Sequence, residues 1–184
     1  FYGGSFTGLD LVLQKELLAL TDELLEKGVI GRVRVSTRPD YIDAERLELI
    51  QAHHVELVEL GVQSMDDEVL QKAERGHTAE AVYKAHKLLR EHGFKTGVQL
   101  MVGLPGQGFA SVQQTAAEVA QLKPDIARIY PVLVIKDTPL AASYARGEYE
   151  PLSVEDAVEQ GAYVYKVLTK AGIKVIRIGL QPDE

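Results

Sequence analysis

Short apolar runs alternate with longer amphipathic stretches along this chain, and this alternation limits the folds that it can adopt. Each apolar run is typical of a strand and each amphipathic stretch has helical spacing. The predicted strands lie at residues 32–37, 55–62, 96–102, 126–135 and 173–178. The predicted helices lie at residues 9–27, 45–53, 66–74, 78–92, 111–122 and 153–170. Continuous apolar strands joined by helices predict parallel βαβ units whose strands are buried on both faces.

The order of these elements leaves the sheet topology open. A flavodoxin-like sheet and a TIM-type barrel both fit the alternation. Both folds bind their ligands at the carboxyl ends of the parallel strands. The residues that follow each predicted strand are therefore the first candidates for a site in either topology.

The length and the charge of the chain restrict its class. We expect one domain over residues 1–184, because the chain is long enough for one sizeable core. A formal charge of -7 argues against a nucleic-acid binder that relies on charge alone, although local basic patches are compatible with it. The sequence contains neither an apolar run long enough for a bilayer nor a signal peptide, so we expect a cytoplasmic protein without membrane contact.

Glycines and a serine follow the apolar start of the chain. Gly3 and Gly4 allow a ligand to approach the backbone closely, and Ser5 precedes a helix whose free N–H groups can bind an anionic or polar group. A tight turn between strand and helix explains the glycine pair equally well.

Polar side chains interrupt the apolar runs at other strand ends. Ser36 ends the first complete strand. Gln63 follows the second, where its amide can bind both a carboxylate and an amine, or can be satisfied within the core. Arg75 ends the next helix, where it either clamps a carboxylate or favours the negative helix terminus. Gln99, beside Met101 in the third strand, indicates a cavity or a buried partner.

The sequence gives little support for a metal site, a catalytic nucleophile or a phosphate-binding loop. The histidines lack the one-turn spacing of helical zinc ligands, so we expect no metal site on their side chains. A nucleophile elbow of the Gly-x-Ser-x-Gly type is absent. The turn that begins at Gly103 contains Pro105 where a phosphate loop needs N–H donors.

Six motifs follow one another along nearly the whole chain. They are Phe1-Tyr2-Gly3-Gly4-Ser5-Phe6-Thr7, Ser36-Thr37-Arg38-Pro39-Asp40, Gly61-Val62-Gln63-Ser64, Arg75-Gly76-His77-Thr78, Gly103-Leu104-Pro105-Gly106 and Tyr130-Pro131-Val132-Leu133-Val134-Ile135. These motifs resemble those of radical S-adenosylmethionine (SAM) enzymes. Their order is similar to that in the radical SAM domain of the catalytic subunit of Elongator and its bacterial relatives, and oxygen-independent coproporphyrinogen oxidases share a looser version.

The resemblance implies an α/β fold, a partial TIM-type (β/α) barrel with parallel strands whose N-terminal strand or strands are missing. It also implies a SAM site. Gly3, Gly4 and Ser5 would bind the methionyl amine, Gln63 and Arg75 the ribose and carboxylate region, and Gln99 and Met101 would line the adenosyl pocket. Ser36 would make an uncharged contact where many relatives carry Glu, and some relatives carry Asp or His at the position of Gln99.

The family's reaction depends on a 4Fe-4S cluster held by three cysteines, and this chain has no cysteine. We expect the chain to be a fragment, with the cluster ligands upstream of Phe1, and to be inactive alone. The complete enzyme would cleave SAM reductively to a 5'-deoxyadenosyl radical, with a reductant for the cluster and with tRNA or another molecule as substrate. Oligomerisation through an exposed barrel edge is a further expectation. A non-catalytic nucleoside-binding module without a cluster is the alternative.

Overall fold

The structure, a computed structural model, describes residue 1 and residues 5–179. Within this part of the chain, strands and helices alternate as the sequence predicts. The strands are β1 (Val33–Thr37), β2 (Val55–Gln63), β3 (Lys95–Val102), β4 (Ile126–Pro131) and β5 (Lys174–Ile178). The α-helices are α1 (Leu11–Glu26), α2 (Ala44–Ala52), α3 (Asp67–Lys72), α4 (Ala79–Glu91), α5 (Phe109–Leu122), α6 (Pro139–Ala145) and α7 (Val154–Lys170). Short 3-10 helices occupy Phe6–Gly8 and Pro39–Tyr41.

The strands follow one another in the sheet in the order β1-β2-β3-β4-β5. The pairs β1–β2 and β4–β5 are both parallel. A doubly wound sheet reverses its strand order at a switch point, whereas a barrel adds each strand beside the previous one. The sequential order therefore favours the barrel type of topology, and the predicted α/β fold with parallel strands is confirmed.

Side-chain caps explain where several helices begin. The carboxylates of Asp10, Asp43 and Asp66 each accept a hydrogen bond from a backbone N–H in the first turn of α1, α2 and α3. The Ser153 hydroxyl does the same for α7. Such caps satisfy N–H groups that have no partner inside the helix, which is why the helices start within two residues of the predicted positions.

The sequence prediction was wrong after β4. The predicted strand reached residue 135, but β4 ends at Pro131. The neighbouring strand β3 ends at Val102, whose carbonyl still accepts a hydrogen bond from the Val132 N–H at 2.9 Å, so no further residue of β3 remains to pair with the segment after it. The helix α6 was not predicted, although Thr138 caps it and Pro139 occupies its first turn.

The chain divides into two compact units, and the first comprises Phe1–Val62 and Ala79–Val98. Its core consists of side chains that α1, α2, α4 and the strands bury completely. These include Leu18, Val35, Leu47, Ile50, Val58, Leu60 and Leu89. The buried carboxylate of Glu59 lies 3.7 Å from the Arg34 guanidinium on the neighbouring strand.

The second unit comprises Gln63–Thr78 and Gln99–Glu184. Helix α5 packs against α7, and α7 packs against β4 and β5. Its fully buried side chains include Val112, Ala116, Val119, Ala127, Ile129 and Leu168. The prediction of a single domain over residues 1–184 stays a prediction.

The described part of the chain contains no helix that combines the length and the apolar character needed to cross a bilayer.

Candidate functional site

The candidate residues of the first unit lie at two element boundaries. Ser36, at the end of β1, is 7% exposed, and its Oγ has no hydrogen-bond partner among the described residues. Ser5 is half-buried and precedes the 3-10 helix Phe6–Gly8, but its side chain caps no N–H. Gly3 and Gly4 lie outside the described residues. Ser36 therefore offers a buried hydroxyl that can still bind a ligand.

In the second unit, Gln63 has an unusual backbone at the end of β2. Its φ angle is +66°, in the left-handed region that costs a non-glycine residue about 1–2 kcal/mol. The side chain is 6% exposed, and its Oε1 has no partner within the part of the chain that the structure describes. Strain together with an unsatisfied buried acceptor is typical of a position kept for a ligand rather than for packing.

Arg75 follows the end of α3, which comes two residues earlier than predicted. Glu74 adopts a left-handed conformation, with φ at +51°, and the Arg75 N–H donates to the Leu70 carbonyl at 3.0 Å. This 6→1 hydrogen bond closes the helix in the manner of a Schellman motif. Arg75 is half-buried and is one of the residues that line a large pocket.

This pocket, which we call the unit 2 pocket, has a volume of about 1030 Å³. Its walls come from the end of α3, the turn after β3, the segment after β4, and α6 with the residues that follow it. Arg75 and Met101, both predicted as SAM contacts, line it together. Gln99, half-buried in β3, and Gln63 do not line it.

The turn after β3 forms one wall of the unit 2 pocket, and glycine is required at both of its ends. Gly103 has φ at +87° and Gly106 at +74°. The Gln107 side chain braces the turn, since its Oε1 accepts from Leu104 N–H at 3.1 Å and its Nε2 donates to the Met101 carbonyl at 3.3 Å. Gln107 thus satisfies two backbone polar groups at this turn.

Tyr149 supports the same turn from a distant part of the chain. Its hydroxyl donates to the Gly103 carbonyl at 2.7 Å, and its ring is buried in the pocket wall. Burial raises the pKa of the Tyr149 hydroxyl above 10.0. Neither Tyr149 nor Gln107 was predicted as a site residue from the sequence. For Gln107 a signal existed, because it follows the glycine-rich turn directly.

Basic and acidic side chains share the pocket lining. Lys72 and Arg75 come from the end of α3, Glu74 lies between them in the sequence, and Glu148 follows α6. Arg146 binds Glu148 through two hydrogen bonds, at 2.8 and 2.6 Å. This pairing lowers the pKa of the Glu148 carboxyl, chiefly through the hydrogen bond from Arg146. The pocket lining therefore carries both signs of charge, in contrast to the acidic balance of the chain as a whole.

The protein has an α/β fold whose strands follow one another in the sheet in sequence order. Its second unit contains a large pocket that Arg75 and Met101, two of the predicted SAM contacts, line. Comparisons with known proteins specify the family. The radical SAM superfamily model matches residues 2–119, and the radical SAM C-terminal domain model matches residues 124–184. The chain belongs to the radical SAM superfamily, as the motifs predicted.

Individual relatives support the Elongator-like resemblance. The tRNA uridine(34) acetyltransferase of Methanocaldococcus jannaschii is 37% identical over 139 residues, which cover 74% of this chain and 26% of the relative. The structure of Methanocaldococcus infernus Elp3 with an N-terminal deletion has a TM-score of 0.82 at 28% identity, and the match covers 98% of this chain and 50% of that one. The chain thus spans a quarter to a half of the length of these relatives.

Another solved structure, which is less similar in sequence, has a similar fold to this chain. Coproporphyrinogen III oxidase from Escherichia coli has a TM-score of 0.71 at 22% identity, with 92% of this chain and 39% of that chain covered. At this identity the likeness concerns the fold alone. It agrees with the looser resemblance that the motifs indicated.

The residues of the chain fit one of the family's two cofactors. SAM needs acceptors and donors for its ribose and a cation for its carboxylate. The unsatisfied Oε1 of Gln63 and the guanidinium of Arg75 supply such groups. A 4Fe-4S cluster needs thiolates, and the chain has no cysteine, so these residues do not fit the cluster.

Proposed function

We propose that this chain is the SAM-binding portion of a radical SAM enzyme that modifies tRNA. The residues of the second unit bind and orient SAM, with Gln63 on the ribose, Arg75 on the carboxylate, and Met101 and Gln99 against the adenosyl group. Membership of the superfamily supports the cofactor, and the named relatives support tRNA as the substrate class.

One observation carries the proposal: Gln63 keeps a buried carbonyl oxygen without a partner on a strained backbone. A buried amide that stabilises the fold would form its hydrogen bonds inside the protein. An unmade bond of this kind costs about 1–3 kcal/mol. A ribose hydroxyl donating to Oε1 would recover this free energy on binding.

Iron-sulfur chemistry requires groups outside these 184 residues. A cluster held by such groups would supply the electron for the cleavage of SAM, and an electron donor would have to reduce it. Because the chain offers no thiolate, we assign to its own residues only the binding and orientation of SAM and the exclusion of water around it.

Calorimetric titration of SAM into the full-length protein tests this assignment. Loss of a charged hydrogen bond costs about 1.5–3 kcal/mol, so Arg75→Ala should raise the Kd roughly 10- to 100-fold. Gln63→Ala removes a neutral hydrogen bond worth about 1 kcal/mol and should raise the Kd about fivefold.

Gln160→Ala is the matched control. Gln160 is also a glutamine of the second unit, 9% exposed, with a buried Oε1 that lacks a partner among the described residues, but it lies on α7. Its replacement should leave the Kd for SAM unchanged. Equal affinities of wild-type, Gln63→Ala and Arg75→Ala proteins would overturn the site assignment.

The absence of cysteine from the chain favours a second candidate, a nucleoside-binding module without catalytic activity. Iron and sulfide analysis of the full-length protein, prepared without oxygen, separates the two functions. Bound iron and sulfide, together with 5'-deoxyadenosine released from SAM under reducing conditions, support the enzyme. SAM binding without iron, sulfide or cleavage supports the module.

A further inference from the structure

Lys72 lies across the turn after β3 because Gly106 has no side chain. A Cβ atom placed on Gly106 would stand 2.5 Å from Cδ of Lys72 and 3.0 Å from its Nζ. The backbone of Gly106 therefore supports the lysine stem at the edge of the unit 2 pocket, which both residues line. The glycine has a role here beyond its φ angle of +74°.

The Lys72 ammonium is available for an external anion. No carboxylate in the described part of the chain forms an ion pair with it. Of the two pocket carboxylates, Glu148 already accepts two hydrogen bonds from Arg146, and Glu74 is exposed to solvent. Other exposed lysines, such as Lys123 and Lys166, also form no ion pair in the described part of the chain, but Lys72 lines the unit 2 pocket and they do not.

Apolar side chains stand exposed in the lining of the same pocket. Leu133 is 49% exposed and Ile135 is 64% exposed, and both belong to the segment after Pro131 that leaves the sheet. Exposed apolar groups in a pocket lining provide a packing surface for a planar, largely apolar group. A nucleobase is such a group, and its nucleotide also carries the phosphate that a lysine binds.

The pocket is also large for one ligand. A volume of about 1030 Å³ is at the upper end of the range of roughly 300–1,000 Å³ that is usual for small-molecule sites. Arg75 serves SAM in the proposed function, which leaves Lys72, Leu133 and Ile135 without a role there.

We infer that Lys72, supported by Gly106, binds a phosphate of the RNA substrate while Leu133 and Ile135 pack against the adjoining base. The inference rests on the proposed function, since it assigns the substrate side of the same pocket. RNA is favoured over a free phosphate because the lysine and the apolar groups share one pocket. Lys72 is then a substrate-binding residue with no part in holding SAM.

Fluorescence anisotropy with a labelled tRNA anticodon stem-loop, titrated with the full-length protein at several salt concentrations, tests the inference. Each phosphate contact contributes about 0.7 to the slope of log K against log salt for single-stranded nucleic acid. Lys72→Gln should lower the magnitude of this slope by about 0.7 and weaken binding several-fold at low salt. Lys72→Arg should retain both the slope and the affinity.

Lys166→Gln provides the control, because Lys166 is an exposed lysine of α7 that does not line the pocket. It should change neither the slope nor the affinity for RNA. Inorganic phosphate should compete with the RNA only weakly, since it cannot use Leu133 and Ile135. Strong competition by phosphate would mean an anion site without preference for RNA and would overturn the inference.

SAM titration of the same variants separates failure of this inference from failure of the proposed function. Lys72→Gln should bind SAM as the wild-type protein does. If it loses SAM affinity instead, Lys72 serves the cofactor and the inference is wrong. Absence of RNA binding by the wild-type protein, or an unchanged salt slope in Lys72→Gln, also refutes the inference and leaves the SAM site intact.

Discussion

Replacing Gln63 with glycine should stabilise the free protein and weaken its affinity for SAM. The change removes the left-handed strain of φ at +66°, worth about 1–2 kcal/mol, and the unpaired buried carbonyl, worth about 1–3 kcal/mol. Two losses oppose these gains: the buried methylene groups, at about 0.8 kcal/mol each, and the added freedom of glycine in the unfolded chain, at about 0.5–1 kcal/mol. The net expectation is a gain of about 1 kcal/mol.

Thermal unfolding of the full-length protein, with and without SAM, measures both effects. For a domain of this size, a gain of 1 kcal/mol raises Tm by about 2–4 °C. SAM at 100 times the wild-type Kd stabilises the wild-type protein by about 2.7 kcal/mol, and a fivefold weaker Kd reduces this increment to about 1.8 kcal/mol. Gln63→Gly should therefore have the higher Tm without SAM and the smaller shift on adding SAM.

Lys123→Gly is the control for backbone strain. Lys123 is exposed, ends α5 with φ at +53°, and contributes nothing to the unit 2 pocket. Its replacement should raise Tm slightly and leave the SAM-dependent shift unchanged. A lower Tm for Gln63→Gly combined with an unchanged SAM shift would refute the interpretation of Gln63 as a ligand-binding residue held under strain.

Two further predictions concern the turn that forms the pocket wall. Tyr149→Phe leaves the Gly103 carbonyl without its donor, so it should lower Tm by about 2–4 °C, corresponding to about 1 kcal/mol. Because folding raises the pKa of Tyr149 above 10.0, the wild-type protein should also lose stability as pH rises through 10 and beyond, and urea unfolding at high pH should show a smaller loss in Tyr149→Phe. Equal loss in both proteins would contradict the role of burial. Gly106→Ala should cost about 1–2 kcal/mol through its φ angle and should weaken RNA binding by displacing Lys72; unchanged anisotropy titrations would contradict this placement of Lys72.

The starts of the predicted helices were correct to within two residues, because the residues that determine them are close together in the sequence. Aspartates at positions 10, 43 and 66 cap the helices that follow them, and these caps are visible in the sequence. The segment at residues 132–135 was assigned to a strand because it is apolar, and an apolar run does not distinguish a buried strand from the lining of a pocket. There the end of the neighbouring strand β3 at Val102 decides where β4 stops.

The geometry of the site depended on contacts that are distant in sequence. The hydrogen bond from Tyr149 to Gly103 joins residues 46 positions apart, and no spacing pattern relates them. The left-handed backbone of Gln63 was equally hidden, because glutamine has no preference for that conformation. In contrast, the position of Gln63 at a strand end and the ordered motifs were sufficient to predict the family.

A crystal structure of the full-length protein bound to S-adenosylhomocysteine is the most direct measurement. It should place the Gln63 amide within hydrogen-bonding distance of the ribose and the Arg75 guanidinium against the carboxylate, with the adenosyl group beside Met101. A ligand bound elsewhere, with the Gln63 carbonyl still unpaired, would contradict the assignment of these residues to SAM.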